Sequence, residues 1–391
     1  MPYQKKKQDP HRVGRIVCYT LIIISLFTLV LVISLQLIQY GSLLPLFGIK
    51  AESQQTESIP AGEIALNHTE LTLYVTTGSS LKVTPEGSAV EWSSSDESVV
   101  SVSQKGALQA LKTGKAVVTA KIGGKRLECT VTVIPLPELT ASENAFDGSK
   151  LQELRDLLAK NPLSISVYYR DLTTGAALEY NSGKKYQAGS VVKAPYCKWL
   201  IASGADLDEE LTLESRHILE GSGNLKSQPA GTAFPVRQLI RYAIVDSDNT
   251  AYNMLAQRFG FDGFKSYAKS LGITANQSTS NLFGTMSASD AAYYFTDLYS
   301  WSQSNPEESA ELIDALCNTS YRQLISAVTD APVAHKYGYN NGTNGFHDAA
   351  IVYSDHPYVL SIFTSLDPDA SGTVNYIRSV AGCANEINGM Q

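Results

Sequence analysis

The chain has 391 residues, more than one ordinary domain of roughly 100–200 residues needs. Apolar residues make up 43% and charged residues 18%, which excludes a chain that is disordered throughout. The net charge is −7, but Lys5, Lys6, Lys7, Arg12 and Arg15 against Asp9 give residues 1–15 a local +4, so the rest carries −11. An acidic body of that kind excludes general nucleic-acid binding, which runs on clustered Lys and Arg.

The first predicted element is a membrane anchor. No charged residue occurs between Arg15 and Lys50, and the strongest apolar run is residues 16–38. As a helix at about 1.5 Å per residue it spans roughly 34 Å, enough for a hydrocarbon core of about 30 Å. A cleaved signal peptide would have a shorter apolar region ending at a small-residue site, and no A-x-A follows here. The basic tail 1–15 is expected to stay in the cytoplasm, with everything beyond about residue 40 outside, in a single-pass cell-membrane protein. There is no P-loop or GxGxxG to hold ATP or NAD(P)H, and no cofactor is expected.

A polar linker, 39–61, leads to short alternating runs: Leu71–Val75, Leu81–Val83, Val90–Trp92, Val99–Val102, Ala107–Leu111, Val117–Ala120 and Cys129–Val133. With Gly, Ser, Asp and Pro between them, they predict a small β-sandwich over 62–135. The segment WSSSDESVVSVSQKGALQALKTGKAVVTA, Trp92–Ala120, resembles group 2 bacterial immunoglobulin-like domains. That resemblance implies a spacer, or a unit that touches wall polymer or carbohydrate. A second linker, 136–147, follows, opening on Leu136 and Pro137.

The last domain, 148–391, changes character. Lys150–Lys160 has apolar residues at helical spacing, Leu163–Asp171 and Ala177–Tyr180 read as strands about a Thr173–Gly175 turn, and an apolar helix begins near Ser190. Helical patterns fill about 236–302, and Val333–Tyr339 and Ala350–Thr364 read as strands. Strands at both ends with helices between predict an α/β domain whose terminal strands share one sheet.

Three motifs stand in order here. Ser190-Val191-Val192-Lys193 starts the apolar helix, and its i and i+3 side chains share a face. A Ser hydroxyl needs a base, and Lys serves only if burial or a nearby cation lowers its pKa. Ser247-Asp248-Asn249 opens a helical stretch, where the plain alternative is a helix N-cap. Lys336-Tyr337-Gly338 follows an apolar run; Gly permits close approach and Lys offers a charge, the plain alternative being an edge strand guarded by Lys.

Together the motifs resemble the S-x-x-K, S-D-N and K-T-G set of class A β-lactamases and penicillin-recognising serine hydrolases. The flanks Ser166–Trp199, Gly221–Leu225 and Val236–Leu255 fit too. The resemblance implies an antiparallel sheet with helices and acyl transfer without a metal. It implies Ser190 as nucleophile, Lys193 as its base or proton relay, and Ser247 as the group that passes the proton to the leaving nitrogen. It implies that Asn249, Lys336, Tyr337 and Gly338 bind substrate, with Lys336 on a carboxylate. The backbone N–H groups of Ser190 and Tyr339 would form the oxyanion hole.

Two departures matter. The middle residue of the third motif is Tyr337, not Thr or Ser, and strict strand alternation would turn Tyr337 away from Lys336 and Gly338. No Glu occurs between Glu220 and Glu307, so the Glu that activates water in class A enzymes has no counterpart. Asp262 and Asp290 read as surface or capping residues, and the uncharged Gly272–Met286 stretch is short for the usual loop. His335, His347 and Asp348 permit a Ser/His/Asp alternative. Cys197, on the nucleophile helix, reads as core, as do the other scattered cysteines.

The expectation is an anchored, outward-facing serine hydrolase or acyltransferase acting on a peptidoglycan peptide or another envelope amide or ester. A genuine class A-type β-lactamase is one alternative, and a non-catalytic penicillin-binding or sensor protein is another.

Overall fold

The computed structural model describes residues 64–85 and 89–388. The basic tail 1–15, the anchor 16–38, the linker 39–61 and Cys18 lie outside the described residues. No helix among the described residues is long and apolar enough to cross a membrane.

Residues 64–135 form the β-sandwich. One sheet runs in the order Glu70–Tyr74, Lys125–Ile134, Gly114–Ile122 and Glu91–Ser94; the other runs Gly78–Ser80, Ala107–Ala110 and Val100–Val102. The period-2 pattern explains the core: Cys129, Val131 and Val133 point inward, while Glu128 and Thr130 are exposed. They meet Leu73, Val100, Leu108 and Val118.

The second domain is built on a six-stranded antiparallel sheet. Its order is Thr140–Ala141, Ala177–Tyr180, Ile165–Asp171, Tyr358–Thr364, Gly345–Val352 and Val333–Asn340. The terminal strands do share one sheet: Ile165 pairs with Thr364 and Asp171 with Tyr358. Every residue of Tyr358–Thr364 is buried because both faces are covered. Val359 and Phe363 join the larger core under the helices that follow Ser190, whereas Leu360 and Ile362 join a second core under Gly148–Leu158 and Thr373–Asn388.

Several boundaries differ from the sequence expectation. Thr140–Ala141, assigned to the linker, pairs with Glu179 and Leu178 at the edge of the sheet. Asp147, also assigned there, caps the Gly148–Leu158 helix by accepting from the N–H groups of Ser149 and Lys150. The continuous strand expected over 350–364 is a hairpin, Gly345–Val352 with Tyr358–Thr364, broken before Pro357. The helical region resolves into Val236–Val245, Asn249–Phe259, Asp262–Ser270 and Ala288–Ser304, and continues in Pro306–Cys317. In Val236–Val245 the i, i+4 pairs Leu239–Ala243 and Ile240–Ile244 face the core, each large side chain contributing about 1.5–3 kcal/mol.

Candidate active site

Ser190 lies in a 3-10 turn, Gly189–Val192, that runs into the helix Lys193–Ala202; the Lys193 N–H donates to the Ser190 carbonyl. The turn is pressed against the edge strand Val333–Asn340. Gly189 has φ +54°, and a Cβ there would lie 3.0 Å from the Tyr339 nitrogen and 3.3 Å from Gly338 Cα. A Cβ on Gly338 would lie 2.7 Å from the Ala188 carbonyl oxygen. Two glycines therefore bring the Ser190 backbone beside the Tyr339 backbone, the pair expected to flank an oxyanion.

The chain entering this turn is tied down by His347, which sequence reasoning did not use this way. Its Nε2 is 3.0 Å from the Gln187 carbonyl, and the Thr364 N–H donates to its Nδ1 at 3.1 Å. These partners require a neutral ring with the proton on Nε2. Burial pushes its pKa down to about 4, and the ring stacks on Phe363 at 4.3 Å.

Ser247 and Asn249 reach the site from the junction of two helices. Ser247 has φ +55° and is fully buried. Asp248 between them is the helix cap: its carboxylate accepts from the Ala251 and Leu225 N–H groups, both at 2.8 Å. The motif thus contains both its readings, a capping Asp flanked by two site residues. Lys193 Nζ donates to the Ser247 carbonyl and to Asn249 Oδ1 at 2.8 Å, and lies 3.5 Å from Ser247 Oγ. Asn249 Nδ2 donates to the Glu220 carbonyl at 2.9 Å, which orients the amide so that its oxygen faces Lys193. Burial first, and then the charge of Lys336, hold Lys193 well below the ordinary lysine pKa.

Lys336 is also fully buried, and burial pushes its pKa down to about 7. Its Nζ donates to Ser247 Oγ at 3.0 Å and to the Tyr337 carbonyl at 3.2 Å. The alternation expected for this strand does not hold at the side-chain ends. Tyr337 is not turned away: Lys336 Nζ sits 4.3 Å from the centroid of its ring. Burial raises the pKa of the Tyr337 phenol, and the Ser247 and Ser222 side chains partly offset that rise. The long lysine stem curves back at the sheet edge, so neighbouring residues converge on one place. Tyr321 packs on Tyr337 with centroids 4.5 Å apart.

The Ser/His/Asp alternative is not built. His335 Nδ1 is 3.0 Å from Asp348 Oδ1, but its Nε2 is 2.8 Å from Thr319 Oγ1, and His347 is committed as described. Asp290 closes a capping box with Ser287 and pairs with Lys185, and Asp262 is exposed in the first turn of its helix. Cys197 is core, fully buried, with its thiol pKa pushed up to about 12 by burial. Cys129 and Cys383 are buried too, while Cys317 is only partly so.

Phe283, from the stretch 272–286, packs beside Tyr252 and Lys193. Its ring centroid and that of Tyr252 each lie 5.7 Å from Lys193 Nζ. Among the described residues no carboxylate hydrogen-bonds Lys193, Lys336 or Ser247. Nothing in the sequence around Phe283 signals this placement. A serine on a helix-opening turn, a desolvated lysine and a hydroxyl bridging two lysines can together move protons during acyl transfer.

Residues 150–386 match the model of a β-lactamase enzyme family, and residues 65–131 match that of the bacterial Ig-like domain of group 2. No curated protein matches. Among solved structures, PBP-A is similar with 22% identity and TM-score 0.55, covering 61% of this chain and 95% of its own. A β-lactamase from Streptosporangium roseum is 22% identical with TM-score 0.55, covering 62% and 99%. A class A β-lactamase from Mycobacterium abscessus is 19% identical with TM-score 0.53, covering 61% and 98%. At these identities the likeness is one of fold.

Proposed function

The chain belongs to the β-lactamase enzyme family through residues 150–386, and from that premise we propose that it is a serine acyl-transfer enzyme working through an acyl-enzyme on Ser190. Ser190 Oγ attacks the acyl carbonyl and gives its proton to neutral Lys193. The backbone N–H groups of Ser190 and Tyr339 hold the oxyanion. Ser247 passes a proton to the leaving nitrogen or oxygen as its bond to the acyl carbon breaks. Water or an acceptor amine then takes the acyl group by the reverse steps. The observation that carries the reading is the buried chain Lys193–Ser247–Lys336, hydrogen-bonded through one serine beside the Ser190 turn.

The acyl donor is a peptide amide or ester of the cell envelope. The uncharged run 16–38 supports an anchored, outward-facing placement, and the Ig-like domain, residues 65–131, is a spacer or a wall-polymer contact. Rapid hydrolysis of β-lactams is disfavoured by Phe283, an aromatic ring where a carboxylate would be needed to activate water. A mutant of PBP-A has been solved as an acyl-enzyme complex with penicillin-G, and β-lactams are therefore suitable probes.

Intact mass spectrometry of the full-length chain with a fluorophosphonate and with a β-lactam tests this. A stable single adduct on Ser190, absent in Ser190→Ala, is the expected result. Rapid product release without adduct build-up would make the protein a β-lactamase. No fluorophosphonate adduct would leave a binding-only domain.

A further inference from the structure

An ammonium has three N–H donors and no acceptor. Those of Lys336 have three targets: Ser247 Oγ at 3.0 Å, the Tyr337 carbonyl at 3.2 Å, and the face of the Tyr337 ring, its centroid 4.3 Å away. The lysine is fully buried, so these contacts stand in for its water shell. Tyr321 packs against the same ring and holds it there.

We infer that the Tyr337 ring occupies the place at Lys336 that a substrate carboxylate would need, so that this site selects acyl donors whose leaving group carries no carboxylate, namely neutral amides or esters. The inference rests on acylation of Ser190 as proposed above and names the substrate class of that site. A carboxylate brought to this place would meet the electron-rich face of a ring, and would lose its hydration beside a cation already engaged by that ring and by Ser247. The ring also replaces such an anion as the partner of Lys336. Lys336 is in addition only partly charged near neutral pH, its pKa being pushed down to about 7 by burial. Tyr337 is on this reading a specificity residue.

The test compares benzylpenicillin with its methyl ester, a pair that differs only at the carboxylate, as acylating agents of the full-length chain. Acylation of Ser190 is followed by intact mass, with a fluorophosphonate as an independent measure of the nucleophile. The ester is expected to acylate at least tenfold faster than the free acid. Tyr337→Thr is expected to reverse that preference, and Tyr337→Phe, which keeps the ring, to leave it within about twofold of wild type. Melting curves and fluorophosphonate labelling establish that the variants are folded; should Tyr337→Thr fail to fold, the wild-type and Tyr337→Phe ratios still decide. Equal rates for acid and ester, a faster acid, no adduct with the ester, or a ratio unmoved in folded Tyr337→Thr would each overturn the inference. Loss of fluorophosphonate labelling in wild type would instead overturn the Ser190 reading beneath it.

Discussion

Gly189 and Gly338 meet backbone to backbone: a Cβ built on Gly189 would stand 3.3 Å from Gly338 Cα. That contact sets the distance between the Ser190 turn and the Tyr339 strand, and so the geometry of any oxyanion held between them. Gly338→Ala would place a methyl 2.7 Å from the Ala188 carbonyl oxygen. Overpacking of this kind typically costs about 1–3 kcal/mol. The expected outcome is a lowered melting temperature and at least a tenfold slower fluorophosphonate labelling of Ser190. Labelling at the wild-type rate would mean that the glycine contact does not position the site.

Lys193 is held well below its usual pKa, first by burial and then by Lys336. A neutral amine is the competent form, so labelling should slow as pH falls through the lowered value. An apparent midpoint near the ordinary 10.5 would remove Lys193 as the base. Lys193→Arg keeps a cation that cannot be deprotonated and should cost about 10²–10⁴ in rate.

The Phe283 ring centroid lies 5.7 Å from Lys193 Nζ, and among the described residues no carboxylate hydrogen-bonds that amine. Phe283→Glu is expected to shorten the life of a β-lactam acyl-enzyme by about tenfold or more, a modest share of what general-base catalysis supplies. Time-resolved intact mass checks it. An unchanged lifetime in a folded variant would place the missing water activation elsewhere.

His347 is a buried neutral ring whose pKa is pushed down to about 4 from an ordinary 6.5. The unfolded chain binds the extra proton between those values, so this contribution is complete above pH 6.5 and is lost as pH falls toward 4. At about 1.4 kcal/mol per pKa step it amounts to roughly 3 kcal/mol. Unfolding free energies of wild type and His347→Asn across pH 4–7 should show a shallower acid slope in the variant. Parallel curves would mean that the ring does not titrate in this window.

The parts of the site visible in the sequence are those whose chemistry depends on local spacing. Ser190 and Lys193 are three apart on one helical turn, and Ser247 and Asn249 flank a capping Asp. Each is a short-range pattern. The Tyr337 ring meets Lys336 despite the alternation because strand geometry fixes where Cβ points, whereas the end of a four-carbon lysine stem at a sheet edge goes where burial and a ring face are most favourable. Phe283 and His347 owe their roles to packing across long chain separations, and nothing beside them in the chain marks it. Thr140–Ala141 shows the same limit for the fold: two residues are too few to display a period, so only the partner strand reveals them.

Ile165 pairs with Thr364, and that single register governs when the enzyme can come into being. Ile165–Asp171 can pair with Ala177–Tyr180 at once, but Tyr358–Thr364, its neighbour on the other side, leaves the ribosome only after residues 172–357. At roughly 5–20 residues per second this leaves the first strand waiting on the order of ten to forty seconds. Ser190, Lys193 and Ser247 are all made in the first half of that interval, while Lys336 and the strands Val333–Asn340, Gly345–Val352 and Tyr358–Thr364 come last. A chain stopped before those strands therefore holds Ser190, Lys193 and Ser247 but lacks Lys336 and the Tyr339 backbone, so the proposed relay and oxyanion pair come together only after the last strand of the sheet is made.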